Sequence, residues 1–279
     1  MGPLRVWRFR VNNPSRMYYY KATLQYDGTD FAGFQWQKDA PTVQNILNIS
    51  LKKLLTGKVT TMGASRTDSG VHAFEQVVKI TTENSLHFEN ILSSLNRELP
   101  TSIRCLAINS AASDFKPASD TTSKEYRYLF TNKAEFSSLE RKYIANIANP
   151  LNLAAMMKCA QAINGTHDFC NFVSTGSNVK TTVRSVSSCD LSEINPHHLL
   201  GHTELFQIPQ ELKSCYQFKI EANGFLKQMI RHLIRGLWMV GSGKITTEEF
   251  LTLLDGPKVN KQLWRVAPAN GLYLYRINY

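Results

Sequence analysis

Residues 64–73 read A-S-R-T-D-S-G-V-H-A. Arg66, one spacer and Asp68 sit beside a turn supplied by Ser69-Gly70. One reading is structural, an ordinary Asp-Ser-Gly turn capped by Arg66. The other is chemical. Arg66, two residues before Asp68, can pair with its carboxylate and keep it ionised in a partly desolvated pocket. An ionised, oriented, water-shielded carboxylate is what a covalent nucleophile requires.

Three other segments carry residues suited to the same chemistry. Residues 26–37, Y-D-G-T-D-F-A-G-F-Q-W-Q, interleave Phe31, Phe34 and Trp36 with Gln35 and Gln37. These side chains could stack on and hydrogen-bond nucleobases, or the aromatics could pack inward. Residues 124–128, K-E-Y-R-Y, put Tyr126 and Tyr128 on one strand face, as core rings or as a flat surface for a flipped base. Residues 224–236, G-F-L-K-Q-M-I-R-H-L-I-R-G, space Lys227, Arg231 and Arg235 by four. That is a solvated helix flank, a ridge following phosphates, or a partner for a carboxylate.

Other chemistries find no support. There is no phosphate loop and no dinucleotide fingerprint. His198, His202 and Cys189 lack the rhythm of a zinc site. A nuclease built on Asp27, Asp30 and Asp68 has no His/Asp cluster behind it. The expectation is no metal and no cofactor. The five cysteines are odd in number with no C-x-x-C pair, which suits free thiols, a reducing compartment and a cytoplasmic location.

Elements of two repeated kinds must position these residues. Tyr20, Ala22, Leu24 and Tyr26 alternate with polar neighbours over 18–26, a half-buried strand. Val43, Ile46, Leu47, Leu51, Leu54 and Leu55 fall at helical spacing over 42–56, between Pro41-Thr42 and Gly57. Two β-rich runs follow, 59–64 and 76–82, then an amphipathic helix from Phe88 stopped by Pro100, then a strand over 103–108. The order is βαββαβ. It recurs as strand 124–131, helix 151–164, strands near 181–191 and 215–222, helix 226–239 and strand 271–277, with one inserted helix, 247–254. The expected fold is therefore α+β: two ferredoxin-like (RRM-like) halves with mostly antiparallel sheets flanking a central cleft. The expected division is a basic arm, 1–16, a domain over 17–112 carrying the Asp68 loop, and a domain over 113–279.

The charge fits a polyanionic partner. Lys plus Arg is 32 against 22 acids, a net +10 over 279 residues. Residues 1–112 hold 13 bases and 8 acids, so each half carries +5 and the excess is no mere tail. The arm has four arginines (Arg5, Arg8, Arg10 and Arg16), and Arg8 and Arg10 break its apolar stretch, so it fails as a secretory signal. No apolar run reaches the roughly 18 residues of a membrane span. Charge and topology thus favour an RNA partner, whether for an enzyme or for a non-enzymatic RNA-binding or chaperone protein on tandem RRM-like folds. Neither half carries the RRM aromatic octapeptide.

Together these segments resemble, in order, the motifs of the bacterial-type tRNA pseudouridine synthase A (TruA) family. The matching stretches are 64–73, the 26–37 loop, N-x-x-L-P at Asn96–Pro100, and the Y-x-Y strand. The G-x-H-D-F-x-x-F segment at 165–172, F-x-x-x-M-[VI]-R at 225–231 and A-P-A-x-G-L at 267–272 complete the set. The resemblance implies that Asp68 is the catalytic nucleophile and that Arg66 intrudes into the RNA and pairs with it. It implies that Tyr126 packs on the target base, that Arg231 is a second basic partner of the carboxylate, and that Leu272 walls the pocket. It also implies a homodimer, without cofactor, that isomerises uridine in the anticodon arm of tRNA at positions 38, 39 and 40. Such a reaction cuts N1–C1′, turns the base and joins C5–C1′, and the carboxylate can attack either C6 or C1′. The chain departs from the family pattern at Ser65, Ser69, Phe34, Ala118, Arg235 and Lys227-Gln228, which alters the basic contacts offered to RNA.

Overall fold

Alternating burial builds the first strand, β1 (Tyr18–Tyr26), whose Tyr20, Ala22, Leu24 and Tyr26 are all buried. A computed structural model describes residues 16–134, 137–176, 179–201, 203, 205–206, 208–210, 212–259 and 264–279. The basic arm up to residue 15 lies outside these, as does His202. The chain divides into two compact units after Thr121, with Tyr279 returning to the first. Lys79 ties residues 113–115 into that first unit by donating to the Ser113 and Phe115 carbonyls at 2.6 and 2.9 Å.

In the first unit, Thr42 caps α1 (Val43–Leu54) by accepting from the Asn45 amide. The apolar stripe Val43, Leu47, Leu51 and Leu54 is buried. After it come β2 (Val59–Gly63), β3 (His72–Thr82), α2 (Phe88–Glu98) and β4 (Ile103–Ser110). Pro100 ends α2 because it cannot continue the hydrogen-bond ladder. The strands lie in the order β4-β1-β3-β2, every pairing antiparallel. One boundary differs from the sequence reading. Strand β3 starts at His72, four residues before Gln76, because Ala73 pairs with Tyr26 beyond an irregularity in β1.

The second unit contains the elements read from sequence and several short ones that were not. It runs β5 (Ser123–Thr131), α3 (Glu140–Tyr143), β6 (Ala145–Asn146), α4 (Leu153–Ala162) and β7 (Gly165–Asp168). A 3₁₀ turn (Phe169–Phe172) leads to β8 (Val183–Ile194), α5 (His197–Leu200) and β9 (Cys215–Ala222). The chain closes with α6 (Met229–Gly241), α7 (Thr247–Asp255) and β10 (Leu272–Asn278). The strand order is β10-β5-β9-β8-β7, antiparallel throughout, and β6 adds to β5 in parallel. Helix α6 packs Trp238 edge-on to Tyr128 and Phe130 of β5. A capping box closes the start of α7: Thr246 accepts from Glu249 N–H and Glu249 from Thr246 N–H.

Helix α6 begins three residues later than its periodicity suggests. Gln228 holds φ +59, a left-handed conformation that starts the helix only at Met229. Lys227 therefore lies off the helix, and its ammonium donates to the Thr175 carbonyl. A ridge of Lys227, Arg231 and Arg235 along one helix flank, one of the readings of their spacing, is not formed. The chain is thus α+β with mainly antiparallel strands. Among the described residues no helix is long and apolar enough to cross a membrane.

Candidate active site

Residues 64–71 join β2 to β3, and nearly every one beside Asp68 is fastened. Gln76, fully buried on β3, clamps Ser65 at both backbone groups. Its Nε2 donates to the Ser65 carbonyl at 2.6 Å, and its Oε1 accepts from the Ser65 amide at 3.1 Å. The Thr67 hydroxyl is 2.7 Å from that of Tyr26. The Thr67 carbonyl accepts from Phe34 N–H, and the Asp68 carbonyl from Val71 N–H, closing a turn through Gly70. Ser69 Oγ and Gly70 N–H both donate to the Phe31 carbonyl.

The burial pattern follows from these anchors. Ser65 and Thr67 are buried, Arg66 is exposed and Asp68 is half-buried. The two charged side chains thus share the outward phase of a stretch whose inward phase is pinned. The Arg66 guanidinium is in no ion pair with Asp68. The pairing expected from their spacing is not formed, and Arg66 instead faces solvent.

The 26–37 loop is the strut that holds this one. Phe34 is fully buried and stacked on Tyr26, and Phe31 is also buried. For these two rings the inward reading is the correct one. The backbones approach closely at two glycines. A Cβ on Gly28 would lie 2.0 Å from the Val71 carbonyl oxygen. At Gly33, φ is +104° and a Cβ would lie 2.7 Å from the Thr67 carbonyl oxygen. Trp36 alone of the three aromatics is exposed, at 53%.

Behind the loop, His72 is fully buried with Nδ1 3.0 Å from the Gly28 amide and 3.2 Å from Asp27 Oδ1. With the proton on Nδ1 the ring donates to Asp27, and with Nδ1 bare it accepts from Gly28. Burial opposes ionisation of Asp27. Hydrogen bonds from His72 and from the Thr29 hydroxyl and amide outweigh it and hold the carboxyl well below its usual range.

The other predicted residues, Tyr126, Arg231 and Leu272, belong to the second unit. Tyr126 on β5 is buried, paired with Leu274 and Ile220, its ring 5.0 Å edge-on from Phe225. Leu272 opens β10 opposite Tyr128. Register puts Tyr126, Tyr128, Leu272 and Leu274 on one sheet face. Arg231 Nε donates to the Ala267 carbonyl at 2.8 Å, and Ala267 N–H donates back to the Arg231 carbonyl. Tyr128 donates to the Pro268 carbonyl at 2.8 Å. Burial pushes the Tyr128 hydroxyl pKa up, against the pull of Arg231. These bonds fasten residues 267–272 and bring Arg231 and Leu272 to the same corner.

Two positioning residues went unnamed in the sequence reading, Gln76 and Gln44. The signal existed for Gln76, a polar residue in phase with the buried Val78 and Ile80 of one strand. Gln44 lies next to Val43 at the start of α1, where polar residues are commonplace. Its amide donates to Thr61 and accepts from Gln35 and from Trp36 N–H.

The structure thus sets an aspartate on a braced loop, with an exposed arginine beside it, in the first of two α+β units. The chain belongs to the tRNA pseudouridine synthase family, whose model matches residues 22–116 and 159–279. Uridine and pseudouridine are isomers, so a member of this family is an isomerase. A relative from Acetivibrio thermocellus named tRNA pseudouridine synthase A is 34% identical over 259 residues, covering 93% of this chain and 98% of the relative. Proteins of the same name from Thermoanaerobacter sp. (92% and 97% covered) and Pelobacter propionicus (93% and 98%) are also 34% identical, over 256 and 259 residues.

Proposed function

We propose that this protein converts uridine to pseudouridine in the anticodon arm of tRNA, at positions 38 to 40, with Asp68 as the nucleophile. The observation that carries the reading is the brace around Asp68. Residues 65, 67, 69, 70 and 72 are each hydrogen-bonded to β1, β3 or the 26–34 strut. A carboxylate on such a loop meets its target without ordering cost at the moment of reaction. It forms an adduct at C6 or at C1′, N1–C1′ breaks and the base turns; C5 then joins C1′, the carboxylate leaves, and C5 loses its proton while N1 gains one. Arg66, exposed on the same loop, enters the RNA helix and comes to pair with Asp68 there. Tyr126 supports the turned base, Arg231 is the second basic partner of the carboxylate, and Leu272 is an apolar wall of the pocket.

The same reading extends to architecture and assembly. The orders β4-β1-β3-β2 and β10-β5-β9-β8 support two ferredoxin-like halves, the second with insertions. The protein acts as a homodimer in the cytoplasm and takes tRNA as its macromolecular partner. The test is to map pseudouridine, by carbodiimide adduct and primer extension, in unmodified tRNA treated with the pure protein. Stops at positions 38 to 40 are the expected result. Pseudouridine only outside the anticodon arm would overturn the assigned positions, and none at all would overturn the activity.

A further inference from the structure

Trp36 is a large apolar residue at the surface. The residue is 53% exposed, and its ring has no aromatic partner among the described residues. An indole that served only the core would be buried, since burying it is worth a few kcal/mol. Yet its backbone is fixed. Trp36 N–H donates at 2.9 Å to Oε1 of Gln44, a buried side chain that also accepts from Gln35 Nε2. Gln44 Nε2 is in turn spent on the carbonyl and hydroxyl of Thr61. Two residues earlier, Phe34 N–H donates to the Thr67 carbonyl, directly before Asp68. The exposed ring and the candidate nucleophile therefore hang from the same strut.

The ring's surroundings select among occupants. Its neighbours Gln35, Gln37, Lys38 and Asp39 are all exposed. One indole in a polar and charged collar offers far less than the roughly 800 Å² per partner that a stable protein interface buries. It does fit the face of an unpaired nucleobase, with a cation and amides alongside for the backbone and base edges.

We propose that Trp36 is a stacking platform for an unpaired base of the RNA substrate, outside the base that reacts. This rests on the tRNA reading above. The test compares Trp36→Ala and Trp36→Phe with the wild-type chain. It measures tRNA affinity by filter binding and the single-turnover rate of pseudouridine formation at saturating enzyme. Loss of one base stack predicts affinity at least about fivefold weaker for Trp36→Ala, most of it restored by Trp36→Phe. The saturated rate stays within about threefold, and the Trp36→Ala deficit disappears on a fully paired RNA duplex. Unchanged tRNA affinity in Trp36→Ala would overturn the proposal, as would an equal loss on the duplex. A changed oligomeric state with unchanged affinity would overturn it in favour of a protein contact. Weakened RNA binding in a protein that makes no pseudouridine would sink the enzymatic reading and keep the stack.

Discussion

Asp68 is only as useful as the residues that hold it still. Gln76 satisfies both backbone groups of Ser65 from a fully buried position. Replacing it with leucine leaves a buried amide and carbonyl without partners, at a cost of about 1–3 kcal/mol each. We expect Gln76→Leu to lower the melting temperature and to cut the saturated rate at least tenfold, while tRNA affinity changes little. Thermal unfolding and single-turnover kinetics on one preparation check this. Asp68 and Arg66 can be singled out from sequence as candidates because a charged pair beside a Ser-Gly turn is a local signal. The brace was not, because it joins residues 11 to 44 positions apart. Of the aromatics in the 26–37 loop, the sequence could not say which faces inward. That depends on Tyr26 offering Phe34 a surface, which is a tertiary fact.

At the scale of elements, backbone of the strut and of the 64–71 loop come into direct contact. Gly33→Ala forces both a left-handed conformation on alanine and a Cβ against the Thr67 carbonyl. We expect it to cost about 2–4 kcal/mol, and more in activity than in fold, because the strain falls beside Asp68. Gly243 is the control. It also has positive φ, at +69°, but a Cβ there meets nothing within 4 Å. Gly243→Ala should cost only about 1 kcal/mol and leave the rate intact. Chemical denaturation of the two variants side by side measures the difference. Most long elements were legible because their apolar periods are clean, as in β1, α1 and the stripe of α6. The failures have identifiable causes. The start of α6 is displaced by the left-handed Gln228. Helix α3, strand β6 and strand β7 are two to four residues long, too short to show a period.

For the whole molecule, two conditions in solution should reveal the charge distribution. The net +10 is shared between the halves, so the tRNA footprint should be broad. Log affinity should then fall steeply and linearly with log salt, by about 0.7–0.9 per phosphate contacted. A slope near zero in a salt titration would contradict an ionic footprint. Acid should act through His232. Burial, and then the neighbouring Arg231, push its pKa down to about 4, while Nε2 lies 2.9 Å from Ser174 Oγ. The unfolded chain binds that proton near pH 6.5. Native protein therefore holds fewer protons than unfolded protein between pH 4 and 6.5. The stability conferred by this neutral ring is complete above 6.5 and drains away as pH falls toward 4, by at most about 3 kcal/mol. His232→Gln should flatten that part of the stability–pH curve, read by urea midpoints across the window.

The central claim is that Asp68 is the nucleophile of the isomerisation. Joining C5 to C1′ expels the hydrogen carried on C5 of uridine, so tRNA labelled there with tritium reports each turnover as tritiated water. Wild-type protein should release label in proportion to pseudouridine formed. Asp68→Asn should release none while binding the same tRNA within a few-fold of wild type. Release by Asp68→Asn at the wild-type rate would contradict the account.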